Sequence, residues 1–202
     1  METTCRISDD LSQDAQRRIN RPLFKAFVEA GRVHGKSKII VTDGDGKTFT
    51  YSDILRAAFA LSAPLKKAAQ PNEAVGVLLP TGVGAVITLF SLHAAGCIPA
   101  MLNFSAGLKN LSAAAKTAPL KTVITARKFV EVGGLTALVD GLSKEVNIIY
   151  LEDLKTEIGF GGKIRAVMGP ISQDFLRPNP HPAILRLFYL PQALREILKA
   201  WC

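Results

Sequence analysis

Hydrophobic positions change their period along this chain, and the changes divide it into elements. Residues 1–20 read as a polar lead-in. Pro22 can open a helix, and Leu23, Phe24, Phe27 and Val28 then recur at helical spacing as far as Gly31. Lys38–Thr42 predicts a strand, Asp43-Gly-Asp-Gly46 a tight turn, and Lys47–Tyr51 a return strand, which together form a hairpin. Ser52 is a candidate cap for a helix that carries Leu55, Ala58, Phe59, Leu61 and Leu65 on one face. Beyond it strands alternate with helices. Strands are expected at Ala74–Leu79, Cys97–Asn103, Lys121–Thr125 and Val146–Leu151. Helices are expected at Gly82–Ala95 (closed by Gly96), from Ser105 through Ala115, and at Leu135–Leu142. That order implies an α/β fold, a mostly parallel sheet with flanking helices and an N-terminal β-hairpin.

No Asp, Glu, Lys or Arg occurs from Ala74 to Leu108, a length that could cross a bilayer. Pro80, Gly82, Gly84, His93, Gly96 and Pro99 divide it, so the pattern predicts a buried strand–helix–strand unit instead. After Gly159 the chain is loop-rich up to Asn179-Pro-His-Pro182. Pro182–Leu185 then starts like another buried strand, and Arg186–Cys202 has a helical pattern.

The 202 residues are 48% hydrophobic and 21% charged, which is globular rather than disordered. Cys5, Cys97 and Cys202 are far apart with no metal-ligand spacing, which argues against a disulfide framework and for a reducing cytoplasm. The N-terminus has no apolar stretch of the kind a signal peptide needs. A net charge of +8 admits acidic ligands, a membrane surface or nucleic acid. The basic residues are scattered without interleaved aromatics, so no nucleic-acid partner is expected.

Chemical motifs are few. Asp43-Gly-Asp-Gly-Lys47 begins like a calcium loop, but Thr48 and Ile54 stand where glycine and glutamate are needed, so a turn is expected. Gly82-Val-Gly84 lacks the third glycine of a dinucleotide loop (Ile87 is there) and is read as strand-to-helix punctuation. Gly162-Lys163 is not a Walker A site, since Glu157 and Ile164 replace its defining residues. His34, His93 and His181 have no evident partners, and His93 is expected as a satisfied core group. No catalytic, cofactor-binding or metal residue is assigned.

Several stretches in order carry a resemblance. Thr48-Phe-Thr-Tyr-Ser-Asp-Ile-Leu55, Val75-Gly-Val-Leu-Leu-Pro-Thr81, Leu89 through Phe104 with its Ala-Gly-Cys-Ile-Pro-Ala-Met-Leu-Asn core, and Lys121-Thr-Val-Ile-Thr-Ala-Arg127 are similar to successive segments of AMP-forming acyl synthetases. The wording around Pro99–Phe104 is closest to the synthetase half of bifunctional 2-acylglycerophosphoethanolamine acyltransferase/acyl-carrier-protein synthetases. The resemblance implies a partial N-terminal domain of the adenylate-forming fold over residues 21–185, after a lead-in at 1–20 and before a non-family tail at 186–202. It implies a parent that uses ATP and Mg²⁺ to activate a fatty acid and passes it to acyl carrier protein in phospholipid acyl-chain recycling. Such a parent would be cytoplasmic, with peripheral contact to inner-membrane lipids.

The family's Thr/Ser/Gly-rich loop ending Pro-Lys-Gly does not follow Pro182–Leu185 here. One choice of codons for Leu194–Cys202 followed by a TGA stop, read two bases on, gives Glu-Gly-Asn-Pro-Lys-Gly-Val-Val-Leu, the end of that loop. A frameshifted tail that packs poorly is therefore expected, with an ordinary amphipathic helix as the alternative. For function, the expectation is a truncated acyl synthetase domain inactive on its own. The alternatives are a non-catalytic α/β binding or interaction module and a basic membrane-surface protein.

Overall fold

The structure, a computed structural model, describes residues 21–157. Helix α1 spans Leu23–His34 and turns its apolar side, with Phe24 buried, toward the helices that follow. It runs three residues past Gly31, because Gly31 lies against Tyr51 inside the helix and Gly35, at φ 96°, ends it. Strands β1 (Ile39–Thr42) and β2 (Thr48–Thr50) pair antiparallel around the expected turn. Gly46, at φ 81°, supplies the left-handed residue that the turn requires.

Helix α2 (Tyr51–Ala68) begins two residues earlier than Ser52 suggests. Thr50 is its cap: the Asp53 amide donates to the Thr50 hydroxyl, and the Asp53 carboxylate accepts from the Thr50 amide at 2.9 Å. This reciprocal box satisfies two otherwise orphaned donors, which one Ser52 hydroxyl would not.

Four short parallel strands then build one sheet in the order β4-β3-β5-β6: β3 (Ala74–Val77), β4 (Ile98–Met101), β5 (Thr122–Thr125) and β6 (Asn147–Tyr150). Between them come α3 (Val83–Ala95), α4 (Gly107–Thr117), α5 (Arg127–Val132) and α6 (Thr136–Leu142), and α7 (Leu151–Thr156) follows β6. The expected strand–helix–strand unit over 74–104 is therefore present, with Gly96 in the left-handed region closing α3. No helix of the described residues is long and apolar enough to cross a membrane.

Alternation along the strands assigns the two faces. Val75, Val77 and Ile124 pack with Leu61 and Leu65 of α2, Leu92 of α3, and Leu151 and Leu154 of α7. Leu78 and Val123 pack with Leu111 of α4, Val130 of α5, and Val139 and Leu142 of α6. A third cluster joins α1, α2 and α3 through Phe24, Ile54, Leu55, Ala58, Phe90 and Ala94, and holds the hairpin through Ile40, Val41 and Phe49. Gly76 sits at the centre of the sheet, where an added Cβ would lie 2.7 Å from Val123 Cγ2.

Three local expectations shift. Ser105 does not cap α4; the Asn103 side chain accepts from the Ser105 amide at 3.0 Å and starts a 3-10 turn, Phe104–Ala106, before α4 begins at Gly107. Tyr51 and Leu151 belong to helices rather than to strand ends. Helices α5 and α7, of six residues each, are additions to the sequence reading, because so short a stretch hardly establishes a helical period. Pro182–Leu185 and the Arg186–Cys202 tail lie outside the described residues, as does the 1–20 lead-in.

Candidate functional site

In an open α/β sheet the place for a ligand is the crevice beyond the carboxyl ends of the strands, where adjacent connections leave for opposite faces. Here that point lies between β3 and β5. The chain leaves β3 for α3 on one face and leaves β5 for α5 and α6 on the other.

The floor of the crevice is closed by hydrogen bonds. The Leu78 amide donates to Ile124 O at 2.8 Å, and the buried Thr125 hydroxyl donates to Leu78 O at 2.8 Å. A threonine that reads as an ordinary strand residue thus ties the two central strands together just past the end of β3.

One wall is the start of α3. Gly82, its cap position, has no side chain to offer, and the carboxylate comes from the hairpin: Asp43 Oδ1 accepts from the Val83 amide at 3.4 Å. A Cβ at Gly82 would stand 3.0 Å from the same oxygen, so a side chain there would press on the carboxylate. A negative charge is favourable at that end of a helix.

The opposite wall is the start of α5. The Arg127 amide donates to both carboxylate oxygens of Glu152, at 3.0 and 3.1 Å. The Arg127 guanidinium donates to Asp153 at 2.7 Å and lies over the Tyr150 ring, 4.1 Å from its centre. The Asp153 carboxylate raises the guanidinium's affinity for its proton. Both helix starts and the arginine that follows β5 are therefore already engaged with carboxylates.

The remaining candidates are separated from one another. Asp43-Gly-Asp-Gly-Lys47 is a hairpin turn as expected, with the Lys47 amide on Asp45 Oδ1 at 3.2 Å. Gly82 and Gly84 punctuate the strand-to-helix passage, and nothing approaches an added Cβ at Gly84 within 4 Å. Cys97 is buried, and burial pushes its thiol up to about 11, so it is not a ready nucleophile. His93 departs from expectation. Its Nε2 is buried without a hydrogen-bond partner among the described residues, and burial lowers its affinity for a proton. The expected satisfied core histidine is thus half-buried and unsatisfied, because the last turn of α3 brings no donor or acceptor to that nitrogen. Among the described residues no group of three or more His, Cys, Asp or Glu could hold a metal ion. His181 and Gly162-Lys163 lie outside the described residues.

The roles of Asp43 and Glu152 escaped the sequence reading. Each carboxylate caps a helix distant in sequence, and only the folded sheet brings cap and helix together.

A four-stranded parallel sheet with helices on both faces and a carboxylate at the helix start on each side of its switch point make an open α/β fold. Residues 27–177 match the AMP-binding enzyme family, and the chain belongs to that family. Its fold is similar to that of VinN, at 18% identity and TM-score 0.60 over 72% of this chain. It is also similar to the N-terminal subdomain of Klebsiella oxytoca NpsA bound to 3-hydroxybenzoyl-AMSN, at 13% identity and TM-score 0.55 over 68% of this chain. A third likeness is to the nonribosomal peptide synthetase FmoA3 in its alpha-methyl-L-serine-AMP bound form, at 17% identity and TM-score 0.53 over 66% of this chain. The chain spans 37%, 32% and 14% of those three chains respectively.

Proposed function

We propose that these 202 residues are the N-terminal part of an AMP-forming acyl synthetase domain, and that on their own they bind no ATP and activate no acid. The observation that carries this reading is the family match over residues 27–177, combined with a crevice whose helix starts are both capped by carboxylates. Enzymes of the AMP-binding family use ATP and Mg²⁺. The described residues do not fit the metal, since no acidic cluster is placed to hold it.

The parent reaction we assign is ATP-dependent activation of a fatty acid and its transfer to acyl carrier protein, in the recycling of phospholipid acyl chains. The support is the resemblance of Pro99–Phe104 and the preceding helix to the synthetase half of the bifunctional enzymes. In that setting the parent works in the cytoplasm and touches inner-membrane lipids peripherally. Adenylation requires positive charge and oriented N–H groups on the phosphates as charge shifts between oxygens. The Arg127 guanidinium has its Nη2 on the Asp153 carboxylate, which offsets the positive charge nearest the end of β5. The segment's contribution is scaffold: it fixes the strands, the floor of the crevice and the helix starts on which such a site would be assembled.

The engaged carboxylates equally favour a second reading, a non-catalytic α/β binding or interaction module. ATP–pyrophosphate exchange with long-chain fatty acids tests the first reading. The expected result is no exchange above a no-protein control. Exchange that depends on this chain overturns the truncated-domain reading and the non-catalytic one together.

A further inference from the structure

We draw no further inference here: the strongest candidate, the exposed apolar patch of Met101, Phe104 and Leu108 at the carboxyl edge of β4, carries nothing because no feature of the structure shows what covers it.

Discussion

Helix α2 begins at a threonine that caps it from the adjacent position, whereas α3 begins at a glycine and receives its carboxylate from a residue forty positions earlier. The helices lie side by side and share one core, in which Leu61 and Leu65 of α2 meet Leu92 of α3. Their starts nevertheless depend on different parts of the molecule. The α2 box needs only residues within one turn of the helix start. The α3 cap forms only once the hairpin has docked over the carboxyl edge of the sheet. A two-stranded hairpin is marginal by itself. Asp43 and the apolar contacts of Ile40, Val41 and Phe49 make it part of the larger body.

The sharpest way to break this comparison is to remove what both helices share. Leu92 is fully buried. Leu92→Ala should cost about 2–5 kcal/mol in urea or guanidinium unfolding, through lost transfer energy and the cavity left behind. A loss no larger than that of a cap variant would mean that the shared core is not closely packed.

Next in size is the local box. Thr50→Ala should destabilise the chain by about 0.5–2 kcal/mol. The Asp53 carboxylate is held below its ordinary value of 3.8, first by the Thr50 side chain and then by the Thr50 backbone. The same variant should therefore raise the Asp53 titration midpoint in NMR. An unchanged midpoint would remove Thr50 from the account.

The distant cap is weaker, because its hydrogen bond is long and charge at a helix end contributes about 0.3–1 kcal/mol. Asp43→Ala should cost an amount in that range and should raise hydrogen exchange in the first turn of α3. Asp45 lies in the same turn, and its hydrogen bonds go to Lys47. Asp45→Ala should leave exchange in α3 unchanged, so equal effects from the two variants would refute the link.

The smallest effect is a slope with pH. Burial lowers the proton affinity of His93 in the folded chain, so below the ordinary histidine value of 6.5 the unfolded chain binds more protons than the folded one. Stability should thus be complete above that pH and decline as pH falls from 6.5 toward the lowered folded value. His93→Leu should flatten this limb. The Asp53 contribution, present above 3.8 and lost as pH falls through its lowered folded value, should remain. A limb of unchanged slope in His93→Leu would assign it to other groups.

The same contrast explains what the chain disclosed before folding. Ala74–Val77, Val83–Ala95 and Thr122–Thr125 were legible because apolar runs, Pro80 and the glycines at 82, 84 and 96 act within a few residues. The Thr50 cap was missed in favour of Ser52 although its signal, Asp53 three residues on, is local. Asp43, Glu152 and the Thr125 hydroxyl were not legible, since their partners are set by the order of strands in the sheet. The resemblance to acyl synthetases located the family, and the family match bears that part out. The crevice walls came only from geometry.

The central claim is that these residues form a scaffold of an AMP-binding domain without its means of holding ATP. Titration calorimetry of the 202-residue chain with Mg-ATP tests it most directly. The account predicts no saturable heat as Mg-ATP is raised to about 1 mM, a Kd at which binding would be worth roughly 4 kcal/mol. A one-site isotherm with a Kd of about 10 μM, abolished by reversing the charge of Arg127, would contradict it.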